Sequence, residues 1–333
     1  MKKLLTMMLA TTMIFALLTG CAGDDTKTDE GTDTGKSYPN KTIQITVPYK
    51  AGGDTDMNAR VLAKYLQEEF DQPVVIVNME GGGGSVAARD MMDKPADGYS
   101  SLFWHSSILI NDLIGISDFT YEDMKIAAIP NVSDVGVWVV SGDSPYETVE
   151  DIVTQLKADP NSLGYATAVG NYSHLQALVF EDVAGVELKK VDLGGTSNNI
   201  ASLLGGQVDI VPIEYGLAKD YIESGDFRVI GSVTETRSEL IPEIPTFLEQ
   251  GYDMTNGFEK FYFVAFPKET PDDIIATFNE AVVKVMANEE AAVEFGKFMF
   301  TERTLIGQDA ADYIAEKDEI YKKYQEVMLN DKF

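Results

Sequence analysis

The residues best placed to do chemistry in this chain are small, hydroxylated and acidic rather than nucleophilic. Gly52-Gly53-Asp54-Thr55-Asp56 follows the apolar run Ile43 to Tyr49 and precedes an amphipathic stretch to Leu66. Ile43, Ile45 and Val47 are β-branched and alternate, so they predict a strand. Met57, Val61, Leu62 and Leu66 have helical spacing, and Thr55 or Asp56 can cap that helix. The glycine pair between them is expected to take backbone angles that side chains forbid, and a β-branched residue at Gly53 should abolish binding with the fold largely intact, by blocking both those angles and the close approach of a ligand oxygen. Strand, glycine turn and helix start together form an anion pocket, because the first N–H groups of a helix have no intrahelical acceptor and carry the positive end of its dipole. An ordinary βα turn without ligand has the same local pattern. Two later segments repeat it: Gly170-Asn171-Tyr172-Ser173 ahead of a helix from His174, and Gly194-Gly195-Thr196-Ser197 ahead of a helix to Leu204.

An enzyme would need a constellation that the chain does not spell. There are two histidines, His105 and His174, and the chain has neither a Gly-x-Ser-x-Gly elbow nor a His-Glu-x-x-His pair. Ser173 and His174 are adjacent at a helix start and do not face each other, so His174 reads as a cap or a ligand contact, while His105 reads as a packing or pocket residue at a strand end. Gly82-x-Gly84-x-x-Ala87 fits a relaxed dinucleotide fingerprint, but no acidic residue ends a strand about 20 residues later. Gly31 to Ser37 falls one residue short of a phosphate loop. The expectation is no catalytic residue, no cofactor and no metal.

Composition narrows the class further. The chain has 333 residues with 54 acidic against 26 basic side chains, a formal net charge of −28, which repels nucleic acid. Hydrophobic residues make up 44% and aromatic residues 10%, enough for a packed core of two lobes. Lys2 and Lys3 precede the apolar run Leu4 to Leu18, and Leu18-Thr19-Gly20-Cys21 closes it, the outline of a secretory signal over residues 1–20. Cys21 is the single cysteine, so no disulfide or cysteine metal site is open to the exported chain. Residues 22 to 37 carry no large apolar side chain and read as a tether between Cys21 and the folded part.

Behind the glycine loops, strands and helices alternate. Pro73 to Asn78, Ser101 to Trp104, Val135 to Val140, Leu163 to Ala166, Leu188 to Leu193, Gln207 to Pro212 and Phe261 to Phe266 read as strands. Ser144-Pro145 and Thr270-Pro271, each followed by acidic residues, read as helix starts. Such alternation predicts an α/β fold with its ligand crevice beyond the strand C-termini. Trp104, Tyr172, Tyr215 and Phe258 are candidates for core or cleft wall.

Taken in order, the motifs resemble the substrate-binding receptors of tripartite tricarboxylate transporters, also called Bug receptors. They are Tyr38-Pro39-Asn40-Lys41; Val47-Pro48-Tyr49 with Gly52-Gly53-x-Thr55-Asp56; Gln72-Pro73-Val74-Val75 with Asn78 and Gly83-Gly84; Asp97-Gly98-Tyr99; Ser173-His174; Leu204 to Asp209; and Ile244-Pro245-Thr246. The likeness covers residues 38 to 328. It implies a two-lobed, type II periplasmic-binding-protein (Venus flytrap) fold with two crossover strands, lobe 1 spanning 38–136 and 262–333 and lobe 2 spanning 137–261. It further implies a monomeric receptor that holds a small carboxylate or amino-acid-like ligand and serves a two-component membrane permease of one large and one small integral subunit. The Leu-Thr-Gly-Cys run resembles a lipobox, which would make Cys21 the lipid-bearing residue and membrane anchor. A ligand-sensing lipoprotein would use the same clamp, and an extracytoplasmic hydrolase is the remaining alternative.

The ligand-binding residues expected are Tyr49, Gly52, Gly53, Asp54, Thr55, Asp56, Ser106, Gly170, Asn171, Ser173, His174, Thr196 and Glu214. Four positions depart from the family pattern: Ala51 and Glu80 where proline is common, Asp54 where a small hydroxyl residue is usual, and Glu214 where asparagine or glycine is usual. With no arginine in the candidate loops, Asp54, Glu80 and Glu214 would disfavour a highly charged anion. A ligand with one carboxylate and a neutral or cationic far end is expected.

Overall fold

The computed structural model describes residues 38–254 and 259–331. Cys21, the tether and Phe258 lie outside them. The chain runs β1 (Ile43–Val47), α1 (Asp54–Phe70), β2 (Val74–Asn78), α2 (Ser85–Met92), β3 (Ser100–His105), α3 (Ser107–Leu113) and β4 (Met124–Ser133). Next come β5 (Gly136–Ser141), α4 (Val149–Ala158), β6 (Gly164–Thr167), α5 (Tyr172–Ala184), β7 (Lys189–Asp192), α6 (Thr196–Leu204), β8 (Val211–Glu214), α7 (Tyr215–Ser224) and β9 (Phe227–Ser232). The last part holds β10 (Lys260–Pro267), α8 (Asp272–Met286), α9 (Glu289–Lys297), β11 (Thr301–Ile306), α10 (Gly307–Tyr321) and α11 (Gln325–Asn330).

Six strands form one sheet in the order β11-β4-β10-β3-β1-β2. β1 pairs parallel with β2 and β3, and β10 runs antiparallel between β3 and β4. Ile43, Ile45 and Val47 are fully buried and share a core with Leu62 and Leu66 of α1, which is why the alternating run is a strand and the 3.6-spaced run a helix. Burying each such side chain is worth about 1.5–3 kcal/mol. A second layer has β8-β5-β9, all antiparallel, and the parallel pair β6-β7, which meets the approach to β8 through a bridge between Tyr165 and Ile210. Its centre is Trp138, whose ring lies 4.7 Å from Tyr165, 4.9 Å from Phe180 and 5.0 Å from Phe247. Trp104 is core as well, packed in the first sheet 6.4 Å from Phe263.

The chain passes from the first sheet to the second between Ser133 and Gly136, and re-enters the first at Lys260. These two passages place the ends of β4, β8 and β10 side by side, and that junction holds the cavity. No helix among the described residues is long and apolar enough to cross a membrane.

Three strands escape the pattern read from sequence, β4, β9 and β11. β4 carries Pro130 in its interior, and its pairing with β10 shifts register around Val264. β11 is half exposed and lacks a clean apolar alternation. The helix after β5 starts at Val149 with Thr148 as its cap, in a reciprocal box with Asp151, four residues past the Ser144-Pro145 signal. The helix after β10 does start at Pro271.

Candidate functional site

α1, α5 and α6 all begin at one cavity of about 60 Å³, room for about four waters or one compact ligand. α1 has Gly53 as N-cap, α5 has Asn171 and α6 has Gly195, and none of these three supplies a side-chain cap. At α1 and α6 the first N–H groups therefore lack the partner that a capping oxygen would provide, whereas the first N–H of α5, Tyr172 N, donates to Ser107 Oγ at 2.9 Å. Two buried side-chain atoms in the wall have no hydrogen-bond partner either, Thr55 Oγ1 and Asn199 Oδ1. Native proteins rarely leave such atoms unsatisfied, so a polar guest belongs beside them.

The loop before α1 is held by its own anion. The Asp56 carboxylate accepts from Gly52 N at 2.8 Å, Arg60 Nε at 2.9 Å and Asn78 Nδ2 at 2.9 Å, and Asn78 also donates to Tyr49 O at 2.8 Å. Gly52 has φ +87, so glycine is required there. Gly53 does not share that property: it is extended, at φ −82 and ψ 171, and a Cβ built on it would meet nothing closer than 3.7 Å. The expected block at Gly53 belongs to its neighbour. Gly84, at φ +116, is needed for a different reason, since a Cβ would lie 2.3 Å from the Trp104 ring. Trp104 in turn donates from Nε1 to Tyr49 OH at 3.0 Å, and that hydroxyl donates to Asn171 Oδ1 at 2.8 Å, tying the starts of α1 and α5 together.

Asp54 and Glu214 do converge, and a lysine stands between them. Lys260 Nζ donates to Asp54 Oδ2 and lies 3.6 Å from Glu214 Oε1. Tyr262 OH adds 2.8 Å to Asp54 Oδ2 and Thr196 Oγ1 adds 2.9 Å to Oδ1, while Ser133 Oγ donates to Glu214 Oε2. Burial alone would raise the Asp54 pKa, but the Lys260 ammonium holds it well below the usual carboxylate range. Burial raises the Glu214 pKa, Lys260 opposes and Asp54 adds to the rise, with a net increase. Burial lowers the Lys260 pKa, yet Asp54 and Glu214 overcome that and raise it. His105, stacked on Tyr49 at 5.2 Å, is kept neutral by burial and then by Lys260.

Of the expected binding residues, Tyr49, Gly53, Asp54, Thr55, Asn171, Ser173, Thr196 and Glu214 line the cavity. Gly52, which is exposed, and Asp56, Ser106, Gly170 and His174, which are not, stand outside its lining. Gly170 N donates to His174 Nδ1 at 3.4 Å, and His174 Nε2 sits 2.9 Å from Asp331, so this histidine is taken up by packing between α5 and the C-terminal segment. Asp56 is consumed by the loop, as above. Glu80 is at the rim, 4.0 Å from Lys50 and half exposed, whereas Asp54 and Glu214 are buried. Among the described residues no group of three His, Cys, Asp or Glu could hold a metal ion.

Lys260 is the residue that sequence reasoning passed over. The charge-balance expectation counted three carboxylates and looked for arginine in loops, but the compensating cation opens a strand. The signal was a lone cation at the head of Phe261-Tyr262-Phe263-Val264, a run buried throughout. Asn199 and His105 were also outside the expected set, the first because it follows the glycine loop by one helical turn.

Two α/β layers with a polar cavity at their junction define a solute-binding protein of the two-lobed periplasmic type. Residues 58–327 match the tripartite tricarboxylate transporter family receptor, and the chain belongs to that family. Protein BugT of Bordetella pertussis is 29% identical over 265 residues, covering 78% of this chain and 80% of that one. Among solved structures, Rpa4515 of R. palustris with adipate superposes with a TM-score of 0.80 at 24% identity, over 87% of this chain and 98% of that one. MatC of Rhodopseudomonas palustris with bound malate gives 0.75 at 20%, over 87% and 100%. These relatives are solute-binding proteins, and the chain is a binding protein rather than an enzyme.

Proposed function

We propose that this receptor captures a small carboxylate-bearing metabolite outside the cytoplasm and delivers it to a two-subunit membrane permease, anchored through lipid on Cys21. The observation that carries the reading is the meeting of three helix N-termini, those of α1 and α6 without a side-chain cap, with the unpartnered Thr55 Oγ1 and Asn199 Oδ1 in one small cavity. Helix N-termini favour an anion without needing a cationic side chain. In this reading the ligand carboxylate lies between Gly53-Asp54-Thr55 and Asn171-Tyr172-Ser173. Lobe 1 (38–136 and 262–333) and lobe 2 (137–261) close over it, and the receptor acts as a monomer. The adipate and malate in related receptors support a carboxylate ligand.

Thermal denaturation with a panel of carboxylates and amino acids tests this. A ligand at 100 times its Kd should add about 2.7 kcal/mol of stability. No shift with any carboxylate would remove the ligand class, and a permease encoded elsewhere in the genome with no effect on uptake when this receptor is deleted would remove the delivery role.

A further inference from the structure

The Asp54, Lys260 and Glu214 cluster places two carboxylates and one ammonium in the wall of a cavity that, on the reading above, takes a third carboxylate. All three side chains are buried, with 4%, 8% and 6% of their surfaces exposed. Their satisfaction is unequal. Asp54 has Lys260 and Tyr262 on one oxygen and Thr196 on the other. Among the described residues Glu214 has Ser133 alone as a hydrogen-bond donor, and its second oxygen faces the ammonium at 3.6 Å, beyond a good hydrogen bond.

The groups that face Glu214 come from several elements. Lys260 and Tyr262 are on β10, Asp54 on α1, and Tyr172 on α5, with His105 of β3 close behind Asp54 and Lys260. Lys260 is the cation among them. Burial keeps both tyrosines and His105 neutral, so none of these relieves an added negative charge. A ligand carboxylate would bring a third anion to a single ammonium inside a region of low dielectric. The cheapest relief is a proton on the least satisfied carboxylate. Protonated, Glu214 can donate to Ser133 Oγ, a hydroxyl that accepts as readily as it donates, and Lys260 is then left to Asp54 and the ligand.

We propose that carboxylate capture by this receptor takes up one proton, and that Glu214 holds it, so that ligand and proton are bound together. Burial and Asp54 already push the Glu214 carboxyl above its ordinary range before any ligand arrives, against the pull of Lys260. The proton comes from solvent and stays on the Glu214 carboxyl; no bond of the ligand changes. Affinity should then be highest in mild acid and fall as pH rises.

The experiment is calorimetric titration of the full chain with the tightest member of a panel containing malate, adipate and amino acids. It is run at neutral pH in buffers of different ionisation enthalpy. The expected wild-type result is an apparent enthalpy that varies with the buffer, corresponding to uptake of about half to one proton per ligand, and a Kd that weakens by up to about tenfold per pH unit above neutrality. Glu214→Gln, an isostere of the protonated form, should show no buffer dependence and a Kd that changes less than about twofold over the same range. A wild-type enthalpy independent of buffer overturns proton uptake while leaving carboxylate capture standing. Uptake that persists undiminished in Glu214→Gln, or that vanishes instead in His105→Gln, overturns the assignment to Glu214. If no carboxylate in the panel binds, the reading on which this rests falls, and this inference falls with it.

Discussion

Two regions of this receptor are built from the same four residue types and come to opposite ends. At the cavity stand Asp54, Glu214, Lys260 and His105; between α5, β7 and the C-terminal segment stand Glu181, Asp331, Lys190 and His174. In the second group Lys190 reaches Glu181 at 2.9 Å and Asp331 at 3.0 Å, and Asp331 also meets His174 at 2.9 Å. Glu181 accepts in addition from Leu188 N at 2.7 Å. That cluster is closed on itself and stands outside the lining of the site cavity. The first borders three helix N-termini and two unpartnered polar atoms, and one of its carboxylates is short of donors. Two acids, a lysine and a histidine make a structural clamp where they satisfy one another, and a binding wall where polar atoms beside them are left without partners.

The sharpest way to break the comparison is to remove each lysine. Lys260→Met leaves Asp54 and Glu214 buried without a cation, and should cost about 3–5 kcal/mol in urea denaturation and abolish ligand binding. Lys190→Met should cost about 2 kcal/mol, because Glu181 and Asp331 sit nearer to water, while ligand affinity stays within about threefold. Equal losses of affinity in the two variants would erase the distinction between clamp and wall.

Thr55→Val sharpens it from the other side. The hydroxyl has no protein partner, so the free protein should keep its stability within about 0.5 kcal/mol, whereas affinity should fall by about 1–2 kcal/mol if a ligand oxygen completes that hydrogen bond. A loss of stability with unchanged affinity would make Thr55 a core residue.

The smallest effect expected is in acid. His105 and His174 are both held below the usual imidazole range, chiefly by burial. Both therefore contribute stability that is present above the unfolded value near 6.5 and is lost as pH falls toward their folded values. Melting temperature should decline from pH 7 to pH 5, and His174→Gln should reduce the slope without altering ligand affinity. The raised Glu214 carboxyl works in the opposite sense in both proteins, so the difference between them is the readout: an acid slope unchanged in His174→Gln would contradict the burial argument for that ring.

Much of this was legible in the sequence. The strand, glycine turn and helix around Gly52 follow from β-branched alternation and helical spacing, and the three glycine loops pointed to the same cavity. The lost strands have physical reasons: Pro130 interrupts β4 beside a register shift, Arg228 breaks the apolar run of β9, and β11 is too exposed to carry an apolar signature. Gly53 was misread because two adjacent glycines suggest the same freedom, and only Gly52 uses it. Lys260 was missed because a cation heading an apolar strand looks like a boundary residue, and its partners lie 206 positions upstream and 46 upstream in sequence. His174 illustrates the reverse case, a residue whose motif suggested a ligand contact and whose nearest partner is instead Asp331, 157 residues away.

A crystal structure of the receptor with its tightest-binding carboxylate tests the central claim most directly. The account predicts the carboxylate between the starts of α1 and α5, with an oxygen within hydrogen-bonding distance of Thr55 Oγ1 and of the N–H groups of Thr55 and Ser173. A carboxylate seated outside this cavity, or one bound inside it that reaches neither Thr55 Oγ1 nor those two N–H groups, would contradict it.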